Sequence, residues 1–140
     1  MNWLGWALAS ALFAALTAIL AKIGVAGVDA TLATAVRTCV VLVFTWMMVW
    51  LNPAARGLSA LTSRNWTFLA LSGIATGLSW LCYFRALQIG QASRVAPIDK
   101  LSVALVILLG ALVLGERLTW AKGIGGFLIV AGAIVIALER

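Results

Sequence analysis

Long apolar stretches separated by short polar connections run along the whole 140-residue chain. An α-helix needs about 20 apolar residues to cross roughly 30 Å of hydrocarbon, and stretches near that length recur. The pattern predicts an all-α integral membrane protein with five transmembrane helices in a single domain, residues 1–140. We number these helices as spans one to five and expect them at about residues 3–21, 30–51, 66–87, 94–115 and 119–138.

Polar residues mark the ends of the second span. Asp29 precedes it, and its carboxylate can accept hydrogen bonds from the free N–H groups of the first helical turn. Asn52 and Pro53 close it and open the longest connection, residues 52–65. These residues predict a capped helix between Ala30 and Leu51.

The fourth span has an unusually short apolar part, residues 101–115. Fifteen helical residues cover only about 22 Å, which is too short to cross. The helix must therefore begin near Ser93 or Arg94. That start draws three further residues into the membrane: Pro97, Asp99 and Lys100.

Composition limits the remaining choices. Residues are 64% hydrophobic and 10% charged, which leaves too few charges for the polar shell of a soluble domain. The net charge is +6, but the ten Lys and Arg stand singly near span ends, as lipid anchors do, and no nucleic-acid partner is expected. Without His and with only Cys39 and Cys82, no metal or cofactor is expected. The first span is interpreted as a retained helix rather than a signal peptide.

Polar residues inside the spans follow helical spacing. In the third span Thr76 and Tyr83 lie seven residues apart, and in the fourth Asp99 and Ser102 share a face. We expect a polar cavity bounded by spans one to four, with the fifth as packing support. The alternative is that Ser and Thr bond to their own backbone or join helices.

Arg37 lies about 10 Å inside the second span, where a charge is costly. Asp99 is the expected partner, while Lys100 points about 100° away around its helix. The alternative to a functional site is a structural ion pair. The predicted substrate or ion site comprises Arg37, Thr76, Trp80, Tyr83, Asp99, Lys100 and Ser102.

Small residues predict close helix packing. They are Gly73 and Gly77 in span three, and Gly123, Gly125 and Gly126 in span five, where contact between subunits is also expected first. With a cytoplasmic N-terminus, four loop cations (Arg56, Arg64, Arg117, Lys122) face four on the other side (Lys22, Arg85, Arg94, Arg140). This balance allows insertion in both orientations with antiparallel pairing, and a single orientation set by subtler features is the alternative.

The ends of the third and fourth spans carry a family pattern. Ala86-Leu87, Leu114-Gly115-Glu116 and the glycine-bearing segment 123–132 resemble the EamA domain of the drug/metabolite transporter superfamily. The sequence departs from that pattern in two ways: Val103 stands where the family often has proline, and the first span lacks the acid used by the related small multidrug resistance proteins.

The resemblance implies a secondary transporter or exporter of small metabolites in a prokaryotic inner membrane. Family members typically carry two inverted five-helix units, so two oppositely inserted copies of this chain would rebuild the ten-span body. Arg37 and Lys100 favour an anionic or zwitterionic solute, and Asp99 is the candidate residue if transport is coupled to protons. The alternative function is a non-transporting membrane subunit that stabilises a partner protein.

Overall fold

A computed structural model describes residues 2–52 and 57–139, without the side chains of Leu58 and Ser59. Pro53, Arg56 and Arg140, which entered the loop and charge predictions, lie outside the described residues. The described part forms α1 (Trp3–Gly24), α2 (Ala30–Leu51), a short 3₁₀ helix (Gly57–Ala60), α3 (Ser63–Ile89), α4 (Ala92–Asp99), α5 (Leu101–Val113) and α6 (Trp120–Leu138). Taken with α4 and α5 as one span, five segments of these described ranges are long and apolar enough to cross a membrane, which confirms the fold class.

The predicted caps of α2 are confirmed. Asp29 Oδ1 accepts hydrogen bonds from the N–H groups of Thr31 at 2.9 Å and Leu32 at 3.2 Å. At the other end, the N–H of Asn52 donates to the carbonyl of Met48 at 3.1 Å. The bounds of α2 are therefore those that the sequence predicts.

The helix α3 begins three residues before its predicted start at Trp66. The hydroxyl of Thr62 caps this end by accepting a hydrogen bond from the Asn65 N–H at 3.3 Å. Hydropathy misses the first turn because Ser63, Arg64 and Asn65 are polar. The first helix, α1, also differs from its predicted bounds, because it continues three residues past the predicted end and stops at Gly24.

The fourth span corrects the predicted continuous helix 94–115. It starts at Ala92, breaks at Lys100 and ends at Val113. At the break, the Ser102 hydroxyl donates to the Asp99 carbonyl at 2.7 Å, and the Val103 N–H donates to the Lys100 carbonyl at 3.0 Å. The helical i→i−4 bond to Asp99 is thus replaced by a side-chain bond, a competition that Ser commonly provides.

The chain forms two compact units, residues 21–88 and the combination of residues up to 20 with those from 89 onward. In the second of these, α6 packs against α4 and α5, so the fifth span does support the fourth. Buried residues of the 21–88 unit include Val25, Thr34, Phe84 and Leu87. Most large apolar side chains of the spans remain exposed, as expected where acyl chains or another subunit cover them.

Candidate substrate site

Arg37 lies against aromatic rings of α3. Its guanidinium carbon is 4.3 Å from the centroid of the Trp80 ring and 5.4 Å from that of Phe84. Arg37 and Trp80 are half-buried and Phe84 is buried. Both distances are within the range of cation–π attraction, so the rings hold the guanidinium in place.

The position of the Arg37 guanidinium along its span follows from how the ends of α2 and α3 meet. Gln88 Nε2 donates to the carbonyl of Val28, which places the end of α3 beside the start of α2. Arg37 lies about 10 Å along α2 from its first residue, Ala30, and Trp80 lies about 12 Å along α3 from Gln88. The guanidinium therefore stays near the depth of its own backbone instead of extending to the interface, as long cationic side chains often do.

The rings stabilise the Arg37 cation without cancelling its formal charge. A desolvated cation–π contact contributes about 2 kcal/mol or more, which is of the same order as the roughly 2.5–3.5 kcal/mol that a charge at the bilayer centre costs on lenient scales. Asp29 is the one carboxylate in the sequence between residues 21 and 88, and it is engaged as the cap of α2. The formal charge of Arg37 is therefore not neutralised by a carboxylate of its own unit.

Two long-range hydrogen bonds hold the end of α3 that carries these rings. Lys22 Nζ, in the last turn of α1, donates to the carbonyl of Leu87. Gln88 bonds the α1–α2 connection at Val28, and its Oε1 accepts from Arg85 Nη1 at 3.1 Å. Carbonyls in the last turn of a helix have no partner within the helix, so Lys22 satisfies a group that would otherwise need water.

Asp99 pairs with its neighbour Lys100, their charged atoms being 3.3 Å apart. Lys100 is predicted to point about 100° away from Asp99 around the helix, and its long side chain nevertheless reaches the Asp99 carboxylate at the break between α4 and α5. The predicted pair of Arg37 with Asp99 would join the two units, and it stays a prediction. Both charged side chains are accessible, Asp99 being 36% and Lys100 56% exposed.

Beside this ion pair lies a mostly apolar cleft of about 400 Å³ between the broken span and α6. Pro97, Lys100 and Val103 line one side, and Ile129 and Gly132 lie on the other. The fifth span thus lines a cleft as well as supporting the fourth, which the sequence did not indicate.

The predicted hydroxyl residues bond locally. Thr76 Oγ1 donates to the Ser72 carbonyl at 2.9 Å, and Ser102 bonds Asp99 as described above. Thr34 and Thr38 in α2 likewise donate to the carbonyls four residues earlier. Back-bonding, the alternative considered from the sequence, therefore describes these hydroxyls in the structure. A substrate-binding role for Thr76 and Ser102 stays a prediction, as it does for Tyr83, which is half-buried on α3.

The predicted packing glycines differ in their surroundings. A Cβ at Gly126 would lie 3.3 Å from Ile107 Cδ1, so α6 packs closely on α5 there. A Cβ would meet no atom within 4 Å at the other four positions, Gly73, Gly77, Gly123 and Gly125. Helix packing at those four positions stays a prediction.

The Leu114-Gly115-Glu116 segment builds the turn between α5 and α6. Gly115 adopts a φ of 68°, and the N–H of Glu116 donates to the Gly110 carbonyl at 3.1 Å. The Glu116 carboxylate lies over Gly110 and accepts a hydrogen bond from Lys122 Nζ at 2.9 Å. Lys122 is thus the cation that pairs with Glu116 in the described part of the chain.

The structure thus brings Arg37 and Trp80 together, and Asp99, Lys100 and Ser102 together in the other unit. Sequence reasoning missed Phe84. Its spacing of four residues from Trp80 was the available signal, since both then share one helix face.

Comparison with known proteins gives a family and two relatives. The EamA-like transporter family matches residues 1–138. A protein of Sinorhizobium sp, named an uncharacterized transporter, is 49% identical over 137 residues, which are 98% of this chain and 97% of that protein. An uncharacterized protein of Methanocaldococcus jannaschii is 32% identical over 74 residues, 53% of this chain and 54% of that protein. No solved structure matches the chain.

Proposed function

We propose that this chain, which belongs to the EamA-like transporter family, is a secondary transporter that moves a small metabolite by alternating access. The family and the Sinorhizobium relative support a transporter role in a multi-pass membrane protein. One observation carries the proposal further. The charged side chain of Arg37 contacts the ring of Trp80 inside a span, and the one carboxylate of its unit, Asp29, is engaged as the cap of α2. Polar and charged groups at that depth in a span commonly mark a transport pathway.

The proposed working unit is an antiparallel homodimer in a prokaryotic plasma membrane. A five-helix chain is half of the ten-span body built by two inverted units, and its loop cations are balanced in number. Reporter fusions at both termini test this arrangement. Signals of both orientations in one population are expected, and a single orientation would exclude antiparallel pairing.

Transport itself is tested in proteoliposomes that contain the purified protein. A panel of carboxylates, amino acids, amines and neutral sugars would be screened for counterflow, and the active solute would then be measured with Asp99→Asn. We expect this variant to fold but to lose flux, because the neutral amide can neither bind a proton nor pair ionically with Lys100. Glu139→Gln, the same kind of change at the end of α6, is the matched control.

The result also separates the two functions considered. A non-transporting subunit would show no counterflow with any solute of the panel. It would also show no effect of Asp99→Asn beyond a change in stability.

A further inference from the structure

We infer that the transported solute carries a single carboxylate, which binds Arg37 and supplies the negative charge that this unit lacks. The inference rests on the proposed function, since it names the substrate class of the same site. It differs from the sequence-based expectation, in which Arg37 and Lys100 together favour an anionic or zwitterionic solute. The two cations differ in the groups that contact them within their own units.

The difference between the cations lies in their partners. Lys100 Nζ is 3.3 Å from the Asp99 carboxylate, so that pair contributes no net charge to the fourth span. Arg37 contacts the rings of Trp80 and Phe84, which attract a cation but leave its formal charge in place. Of these two cations, Arg37 is therefore the one to which we assign charge selection.

The geometry of Arg37 leaves it able to bind an anion. A ring that stacks on a guanidinium covers a flat face, while the N–H donors point outward in the plane of the group. Arg37 is half-buried rather than enclosed, so part of the side chain remains accessible. A planar carboxylate matches such an edge with two parallel hydrogen bonds.

The number of charges favours a carboxylate over other anionic groups. One carboxylate neutralises one guanidinium. A phosphate monoester carries about −1.5 to −2 at pH 7, and would leave negative charge in the membrane with a single Arg. A zwitterion would bring a cation for which the 21–88 unit has no uncommitted carboxylate, because Asp29 caps α2.

Equilibrium binding to the detergent-purified full chain tests this, with benzoate as the probe. Benzamide serves as the neutral isostere, benzamidine as the cation and inorganic phosphate as the competing anion. We expect benzoate to bind in preference to all three. Arg37→Gln should weaken benzoate binding about ten- to hundredfold, the range expected for hydrogen bonds to a charged group, and should abolish the preference over benzamide.

Two further variants keep the test specific. Arg37→Lys retains the charge without the planar donor fork, so benzoate binding should weaken but the preference over benzamide should persist. Arg64→Gln is the matched control, because Arg64 also lies near an aromatic ring, 5.8 Å from the centroid of Phe68, but in the first turn of α3. It should bind benzoate like the unmodified protein.

The inference is overturned if benzoate fails to bind, if benzamidine or phosphate binds more tightly, or if Arg37→Gln leaves benzoate binding unchanged. Failure of the proposed function looks different. Arg37-dependent benzoate binding without counterflow of any solute would remove transport and keep the site, whereas flux insensitive to Arg37→Gln would keep transport and remove the site.

Discussion

Asp29 shows how a single carboxylate makes the start of a span depend on pH. Its pKa is lowered from the ordinary 3.8, first by the hydrogen bond from the Leu32 N–H and then by that from Thr31, both of which favour the ionised form. A lowered pKa in the folded state means that the stabilisation is present above 3.8. It is lost as pH falls through the lower folded-state value.

We therefore expect the unfolding temperature of the native protein to fall in this acidic range more than that of Asp29→Asn. The Asn side chain caps a helix without titrating. Asp29→Ala should be less stable than Asp29→Asn throughout, since it lacks the cap. Thermal unfolding in detergent, followed by circular dichroism across this pH range, measures the difference, and parallel pH curves for the native protein and Asp29→Asn would contradict the prediction.

For single residues, the sequence predicted which side chains belong to a cap or a site better than it predicted what those side chains contact. Asp29 as a cap follows from local spacing, because its partners lie two and three residues away. Arg37 and Trp80 were both predicted to belong to a site, but their stacking depends on how α2 and α3 face each other. Phe84 was missed because a phenylalanine in a span is equally typical of a lipid-facing position.

The turn between α5 and α6 requires a particular backbone at Gly115. Its φ of 68° is left-handed, which costs an L-residue about 1–2 kcal/mol. We expect Gly115→Ala to lower the free energy of unfolding by about that amount. Gly77→Ala is the matched control, because Gly77 lies within α3 with open space at its Cβ position, where alanine favours the helix by about 0.5–1 kcal/mol. Reversible unfolding in mixed detergent micelles compares the two, and equal destabilisation would contradict the prediction.

Packing of α6 on α5 requires a small residue at Gly126, where a Cβ would lie 3.3 Å from Ile107 Cδ1. Gly126→Val adds branched bulk that a slight movement of Ile107 cannot accommodate, and overpacking of this kind costs about 1–3 kcal/mol. Gly73→Val, at an open position in α3, should cost less. Adding Ile107→Ala to Gly126→Val should recover part of the lost stability, and the absence of recovery would show that this contact is not the cause.

Among the elements, apolar length predicted all five spans and failed where backbone hydrogen bonding decides. The fourth span needed Ala92 and the residues after it, as its short apolar part indicated. Its break at Lys100 depends on two hydrogen bonds, from the Ser102 hydroxyl to the Asp99 carbonyl and from the Val103 N–H to the Lys100 carbonyl. Hydropathy carries no information about such bonds.

For the whole molecule, the contacts that fix the α3 end link residues far apart in sequence. Lys22 bonds Leu87 across 65 positions, and Gln88 bonds Val28 across 60. No periodicity along a single helix contains such information. The Ala86-Leu87 motif nevertheless marks this contact. The side chain of Leu87 is fully buried, and its carbonyl accepts the hydrogen bond from Lys22.

The exposed spans set the last prediction, on assembly. Exposed apolar side chains need a cover, and in the proposed homodimer a second copy provides part of it. Gly125 leaves open space at its Cβ position, so a close helix approach there would come from the second copy.

We expect light scattering in mild detergent to give a protein mass of twice 14.8 kDa, and Gly125→Leu to reduce it to that of one chain. Ile124→Leu, a volume-conserving change at a neighbouring exposed position, should leave the mass unchanged. A dimer that persists in Gly125→Leu would move the interface away from this face of α6, because a leucine cannot fit where two backbones approach closely.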